Sequence, residues 1–320
     1  MWKFTVRRIL IMIPQIILLS VLVFLMAKAM PGDALSGLID PNVDPERLEE
    51  LREKMGLNDP WYVQYVDWVK NLFHGDLGTS FRYKMPVTEL IGGRIVNTFW
   101  LSLLSLLLIY LISIPLGIIS GRYHDTWIDR AITGYTYIGF ATPLFIFGLV
   151  MLWFFGFSLG LFPTGGSVSP GLTPGTFEYF LSKINHLLLP ALSIALIATV
   201  GTVQYLRNEI IDTKQKDFIL TARAKGASES RVYNRHIFRN SLLPIAAFFG
   251  YELTGLIGGT VFIEKIFGYP GMGQLFLESI TTRDYTVVTS LVLLYGCATI
   301  IGALLSDIIL SLVDPRIRIK

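Results

Sequence analysis

Long apolar runs alternate with shorter polar intervals along the whole chain. A helix needs about 20 apolar residues to cross the roughly 30 Å hydrocarbon core of a bilayer. Six runs come close to or exceed that length, and they cover residues of about 9–27, 98–119, 131–157, 187–206, 242–262 and 285–312. The pattern predicts an all-α integral membrane protein with six transmembrane helices, which form a single transmembrane domain over residues 1–320.

The polar intervals predict the orientation of these spans. Basic residues concentrate in residues 1–8, 207–240 and 314–320. Positively charged segments stay on the cytoplasmic side of a membrane. With six spans the three segments fall on one side, so both termini are expected in the cytoplasm and the polar segment 31–97 outside. The short loop 121–130 is charge-balanced and does not bear on orientation.

The first apolar run has two interpretations. It follows three basic residues, Lys3, Arg7 and Arg8, and Ala27-Lys28-Ala29 resembles a signal-peptide cleavage site. The apolar region of a signal peptide has about 7–15 residues. Because the run at 9–27 is longer and suffices to span a bilayer, we expect a retained first transmembrane helix.

Two amphipathic helices are expected in the outer segment 31–97. Each begins at an Asp-Pro pair, Asp44-Pro45 or Asp59-Pro60, because proline is favoured at the first helical position. The second carries Trp61, Tyr65, Trp68 and Leu72 on one face. We expect the segment to cover the outer face of the bundle, where it can receive a partner.

Composition confirms the membrane class and excludes several kinds of site. Only 16% of the 320 residues are charged, against about 25% in soluble domains. The net charge of +3 is small, and the basic residues lie beside the spans, which indicates topology and not nucleic-acid binding. One cysteine, Cys297, gives no internal disulfide, and the four histidines are scattered singly. We therefore expect no metal site and no cofactor.

The stretch 217–244 is the longest polar interval between two apolar runs in the second half of the chain. Its sequence predicts a helix, a break and a second helix. Asp217 is the expected N-cap of the first helix, and Gly226 ends it because glycine takes the left-handed conformation cheaply. Ser228 is expected to cap the second helix, whose Tyr233 and Ile237 share a face. One interpretation is an ordinary positive loop that orients the protein.

Two motifs bear on enzymatic activity. Residues 156–160 read G-F-S-L-G, which matches the G-x-S-x-G of hydrolases. That elbow requires a strand-to-helix turn and a nearby histidine base, whereas here Ser158 closes an apolar run. No G-x-x-x-x-G-K-[ST] occurs in the chain, so it has no P-loop to hold nucleotide phosphates. We expect a protein that is not an enzyme, and any ATPase that drives it is a separate chain.

Glu252 stands alone in the middle of the fifth predicted span. Acids inside membranes face a cavity or a partner, because exposure to lipid costs about 3 kcal/mol or more. Glu252 therefore either lines a translocation pathway, together with Gln204, or makes a packing hydrogen bond between helices. Glycines at 250, 255, 258 and 259 favour close helix packing.

The sequence resembles one transporter family over nearly its whole length. Ala222-Arg223-Ala224-Lys225-Gly226, with Leu243-Pro244 after it, resembles the loop that ABC importer permeases press into their ATPases. The position of the acidic residue in the wider superfamily is occupied here by Leu220. Further matching segments are residues 21–25, 31–33, 75–80, 86–87, 115–118, 189–193, 269–273, 283–285 and 314–318. Together they resemble the oligopeptide/dipeptide (peptide/nickel) permease family, and the large outer segment resembles its B-type, first-permease members.

The resemblance implies a type I ABC importer permease in a bacterial or archaeal cell membrane. It implies four partners: a second homologous permease, two ATP-binding subunits and an outer substrate-binding lipoprotein. It assigns ATPase coupling to a set of residues in the polar stretch, namely Thr221, Ala222, Arg223, Ala224, Lys225, Gly226, Ser228, Arg231 and Pro244. Peptides are the expected substrate, with nickel chelates or glutathione as alternatives. Two other classes stay open: a proton-coupled peptide transporter that uses Glu252, and an intramembrane hydrolase that uses Ser158.

Overall fold

The computed structural model describes residues 2–30, 49–50, 53, 56–242, 245 and 260–313. This part of the chain is almost entirely helical. The membrane-length helices are α1 (Trp2–Ala29), α3 (Val87–Arg122), α6 (Phe177–Lys214) and α11 (Tyr285–Val313), and the shorter ones are α2 (Trp61–Phe73), α4 (Trp127–Ala141), α5 (Leu144–Met151), α7 (Asp217–Ala224), α9 (Val261–Ile266) and α10 (Met272–Thr281). A π-helical turn, Leu152–Ser158, continues α5, and α8 is a helical stretch over 229–241 with a π-helical centre at Val232–Ile237.

Four helices within these described ranges are long and apolar enough to cross a membrane, and α4 with α5 forms a bent fifth candidate. Helices α1, α3, α6 and α11 contain the predicted spans at 9–27, 98–119, 187–206 and 285–312. Helix α3 has 36 residues and α6 has 38, which at 1.5 Å per residue exceeds the hydrocarbon thickness. Both helices therefore extend beyond the membrane at one or both ends.

The third predicted span differs from the structure. Residues 131–157 are not one straight helix, because the chain bends by 103° between α4 and α5. The break lies at Thr142 and Pro143, whose backbones are extended, with ψ values of 114° and 134°. Proline has no N–H to donate and disfavours helical conformation in the residue before it. The result is a broken span or a re-entrant pair.

Three other predictions fall mainly outside the described residues. These are the fifth span at 242–262, the helix that starts at Asp44-Pro45, and the basic segment 314–320. The second outer helix is present as α2, which begins directly after Pro60. Its Tyr65 and Trp68 rings pack on Phe24 of α1, so α2 lies against the end of the first span.

The centre of the fold is the pair α3 and α6, which pack along much of their length. Small residues allow this close approach: a Cβ on Gly117 would lie 2.9 Å from Leu206, and one on Gly121 would lie 2.8 Å from Ile210. Helix α11 packs on α1, where Arg8 forms an ion pair with Asp307 at 3.0 Å. Helices α9 and α10 form a hairpin whose buried Glu264 faces α3.

Candidate functional site

The candidate site lies at the end of the bundle where α3 ends at Arg122 and α6 ends at Lys214. We call this the basic end. Helix α7 begins three residues after α6 ends, with Lys216 as its N-cap and Asp217 as its first helical residue. The prediction of Asp217 as the N-cap was therefore wrong by one position. An acidic residue in the first turn still stabilises the helix, because it faces the positive end of the helix dipole.

Gly226 ends α7 as the sequence predicts. Its φ is +79°, in the left-handed region that favours glycine. The N–H of Ala227 donates to the carbonyl of Ala222 at 3.2 Å, and the N–H of Gly226 donates to the carbonyl of Arg223 at 2.9 Å. These two bonds form a Schellman motif, which satisfies the last carbonyls of the helix and fixes the direction in which the chain leaves it.

Ser228 occupies the N-cap position of α8, with an extended backbone at ψ 149°. Its carbonyl accepts the N–H of Val232 at 2.9 Å, but its hydroxyl makes no capping hydrogen bond. Only the position of the predicted cap is therefore confirmed. At the other end of α8 the buried Ser241 hydroxyl is 3.3 Å from both the Glu209 carbonyl and the Thr213 hydroxyl of α6.

The inner face of α7 is fixed to the bundle by an apolar cluster. Ile219 is 0% exposed and Ala222 8% exposed. They share this cluster with Leu206 and Ile210 of α6, with Val232 and Ile237 of α8, and with partly buried residues of α3. Burial of apolar area contributes about 25 cal/mol per Å² to stability. This buried face therefore stabilises the short helix, which would be only marginally stable in isolation.

Tyr233 of α8 links the three elements at the basic end. The Arg122 guanidinium lies 5.0 Å from the centre of its ring, and the Lys214 ammonium lies 5.7 Å from it. Lys214 also donates to the carbonyls of Gly121 and Arg122 at 3.1 Å. A cation at the carboxyl end of α3 is favourable because the helix dipole is negative there.

The outer face of α7 is both apolar and basic. Phe218 is 40% exposed and Leu220 59% exposed. Thr221, Arg223, Ala224, Lys225, Gly226, Ser228 and Arg231 are also exposed. The Arg223 guanidinium makes a two-pronged contact with the Glu229 carboxylate, at 2.9 and 3.2 Å. Such an exposed pair adds at most about 1 kcal/mol, but it fixes α7 relative to α8.

The structure brings together most of the residues to which the family resemblance assigned ATPase coupling. Ala222 is the exception in exposure, since its side chain faces the bundle. Pro244 and Glu252 lie outside the described residues. Gln204 is in α6, where its side-chain amide donates to the Thr136 hydroxyl of α4 at 2.6 Å. Ser158 is exposed at the end of the π-helical turn.

A separate apolar groove of about 720 Å³ lies toward the opposite end of the bundle, between α3 and α6. Trp100, Leu104, Lys183, Leu187 and Tyr269 are among its lining residues. Gln204 is not one of them. The groove is therefore distinct from the position of Gln204.

Sequence reasoning missed three buried acids among the described residues. One of them, Asp284, accepts hydrogen bonds from the Ser80 hydroxyl and the backbone N–H of Arg82. Asp129 is bound by Arg207 and Ser120, and Glu264 is bound by Thr98 and by the backbone of Gln274. The only local signal for Asp129 is the spacing Thr126-x-x-Asp129, which is typical of a helix capping box. Thr126 is indeed the N-cap of α4. Glu264 has no comparable local signal.

Comparison with known proteins gives consistent results over the whole chain. Residues 113–319 match the family described as "Binding-protein-dependent transport system inner membrane component", and residues 1–103 match its N-terminal family. The chain is 41% identical over 319 residues to the oligopeptide transport system permease protein AppB of Bacillus subtilis, covering 99% of this chain and 100% of AppB. It is 31% identical over 320 residues to the glutathione transport system permease protein GsiC of Escherichia coli K12, covering 100% of both.

A solved structure resembles the fold. An inward-facing structure of the MetNI methionine ABC transporter aligns with a TM-score of 0.52. The alignment covers 70% of this chain and 96% of that one, at 16% sequence identity. At this identity the likeness concerns the arrangement of the helices alone.

Proposed function

The chain belongs to the family of binding-protein-dependent transport system inner membrane components, and from this premise we infer that it is the permease subunit of an ATP-driven importer of oligopeptides. It is a multi-pass cell-membrane protein with several apolar helices. Membership in the family sets aside the proton-coupled transporter and the intramembrane hydrolase that the sequence had left open.

The observation that carries the substrate proposal is the full-length similarity to an oligopeptide permease at 41% identity. The glutathione permeases are similar at 31%, so glutathione is the second candidate. Glutathione is itself a short peptide, and both relatives therefore point to the same chemical class. A nickel chelate has no support of this kind among these relatives.

The proposed partners are supported by family membership and by the exposed face of α7 at the basic end. The chain has no P-loop, so ATP is bound and hydrolysed by separate subunits. We assign their docking to α7, which we call the coupling helix. Its outer face offers Phe218 and Leu220 as apolar contacts and Arg223 and Lys225 as basic ones. A second homologous permease completes the pathway, and a substrate-binding protein delivers the peptide from outside.

In this proposal, closure of the two ATPases on ATP moves the coupling helix. The chain direction fixed at Gly226 and the apolar contacts of Ile219 transmit this movement to α6 and α3. The bundle then changes between inward-open and outward-open states by rigid-body motion. Glu252 and Gln204 remain candidates for contact with the passing substrate.

The test is reconstitution of the complete complex in lipid nanodiscs with its binding protein. We expect ATP hydrolysis to rise when the binding protein is loaded from a mixture of oligopeptides, and ligand extracted from the complex to be peptide by mass spectrometry. Stimulation by glutathione alone would favour the second candidate. If neither ligand stimulates hydrolysis, or if uptake continues without the ATPase subunits, the proposed function is wrong.

A further inference from the structure

Asp129 is a buried acid that the coupling contacts described above do not use. Its side chain is only 3% exposed, although it lies near the basic end at the start of α4. The Arg207 guanidinium of α6 donates to both of its oxygens, at 2.7 and 2.8 Å. The Ser120 hydroxyl of α3 donates at 2.5 Å, and the backbone N–H of Asp125 donates at 3.0 Å. One carboxylate thus joins α3, α4 and α6.

This arrangement specifies geometry more strictly than apolar packing does. A two-pronged Arg–carboxylate contact fixes both distance and orientation, because both groups are planar. Apolar side chains can slide past one another, but a buried carboxylate that loses its donors is left with an uncompensated charge. The three helix ends are therefore held in one relative position.

A second contact between α6 and α3 lies about two helical turns of α6 beyond Arg207. Lys214 donates to the last carbonyls of α3 at 3.1 Å. Between the two contacts, a Cβ on Gly121 would lie 2.8 Å from Ile210 and 3.0 Å from the carbonyl of Arg207. Helices α3 and α6 are therefore closely packed between these two contacts, which favours their movement as one unit.

The coupling helix packs against the same part of α6 that these contacts hold. Ile210 of α6 lies three residues after Arg207 and shares an apolar cluster with Ile219 of α7. Leu206, which directly precedes Arg207, belongs to the same cluster. A shift of α6 against α4 would therefore displace the surface that carries α7.

We propose that Asp129 and Arg207 are positioning residues for energy coupling: they join α3, α4 and α6 into one rigid platform, so that movement of the coupling helix is transmitted to the transmembrane helices. The inference rests on the proposed function for its role in transport. The platform itself is a property of the permease and is testable separately.

The first test measures the hydrogen-exchange rates of the backbone amides of residues 217–227 in the purified complex in nanodiscs. These rates report whether α7 is held in place by the platform. Local opening raises exchange without global unfolding. We expect Asp129→Asn and Arg207→Gln to raise exchange in this segment at least about tenfold, although neither residue belongs to it. Arg207→Lys, which keeps the charge but loses the planar fork, should give an intermediate increase. Unchanged exchange in all three variants would overturn the proposal.

The second test measures transport per ATP hydrolysed, which a merely stabilising contact would not alter once the complex has assembled. A misplacement of about 1 Å costs an enzyme up to roughly 10²-fold in rate, and we expect transport per ATP to fall about tenfold in Asp129→Asn while the ATPase subunits remain bound. Asp307→Asn is the control, because it removes another interhelical ion pair, Arg8–Asp307 at 3.0 Å, which joins α1 to α11 and none of α3, α4 and α6. Equal losses in both variants would also overturn the proposal.

The two tests separate this inference from the proposed function. If the wild-type complex does not respond to peptides, the proposed function fails, but the exchange measurement still decides whether the platform exists. If the wild-type complex transports peptides and Asp129→Asn transports them with the same yield per ATP, the function stands and the positioning role is wrong.

Discussion

The Thr98 hydroxyl donates to the Glu264 carboxylate at 2.9 Å, and both side chains are fully buried. The other carboxylate oxygen accepts the backbone N–H of Gln274 at 2.9 Å. Through this one acid, the hairpin of α9 and α10 is attached to α3. The same Thr98 hydroxyl accepts the N–H of Met272 at 2.7 Å, so the attachment includes the first turn of α10.

Gly271 has no room for a side chain beside this attachment. A Cβ there would lie 2.5 Å from both the Glu264 carboxylate and the Thr98 hydroxyl. We expect Gly271→Ala to destabilise the fold by about 1–3 kcal/mol, the usual effect of overpacking, and to lower the thermal unfolding midpoint in detergent. Gly201→Ala is the control, since nothing lies within 4 Å of a Cβ at that position. An unchanged midpoint for Gly271→Ala would contradict the described packing.

Burial raises the pKa of Glu264 above its ordinary value of 4.5, although its hydrogen bonds to Gln274 and Thr98 oppose the shift. The folded protein therefore holds this proton more tightly than the unfolded chain does. Between pH 4.5 and the raised pKa, the Glu264 contribution to stability decreases as pH rises. We expect Glu264→Gln to flatten the decline of the unfolding midpoint over that range. Identical slopes for the variant and the wild type would show that Glu264 does not titrate in this way.

Gly226 should tolerate only residues that accept a positive φ. At φ +79° a Cβ would meet no atom within 4 Å, so the cost is backbone strain of about 1–2 kcal/mol and not a clash. We expect Gly226→Val to insert in the membrane, to retain less of the ATPase subunits in a pull-down and to lose uptake. Gly226→Asn is the matched control, because asparagine adopts this conformation more readily. Full ATPase binding and uptake by Gly226→Val would remove the basis for assigning coupling to α7.

Substitutions at two neighbouring residues of α7 can distinguish a loss of ATPase docking from a loss of fold stability. Leu220 is 59% exposed, whereas Ile219 is 0% exposed. We expect Leu220→Ala to weaken the ATPase contact while the unfolding midpoint stays unchanged. Ile219→Ala should instead cost about 2–5 kcal/mol of stability, because it leaves a cavity under the helix. If Leu220→Ala lowered the unfolding midpoint and Ile219→Ala weakened only the ATPase contact, the described orientation of α7 would be wrong.

Topology can be tested by thiol labelling after Cys297 is replaced. Single cysteines at Glu50 and Lys183 should react with a membrane-impermeant reagent applied outside intact cells. Cysteines at Lys216 and Ser228 should not react until the cells are opened, because the basic segment 207–240 is expected in the cytoplasm. Labelling of Lys216→Cys in intact cells would overturn the predicted orientation of six spans.

The sequence by itself determined the class of protein and the way in which helix α7 ends. Apolar runs of membrane length predict helices, because the hydrocarbon core offers backbone N–H and C=O groups no other hydrogen-bond partners. Four of the six predicted spans lie within helices of the structure. Gly226 was predictable for the same kind of reason, since the left-handed ending of a helix depends on one residue and its immediate neighbours. The break at Pro143 also had a local cause, but the continuous apolar run around it concealed the bend.

Only the tertiary structure decided which polar groups meet. Asp129 and Arg207 are 78 residues apart, and Thr98 and Glu264 are 166 apart. Periodicity and capping signals act over a few residues, so they cannot select such partners. For Asp129 and Arg207, the selection depends on how closely α6 approaches α3 at Gly117 and Gly121. Close packing of helices therefore turned separate charges in the sequence into the buried contacts that organise the basic end.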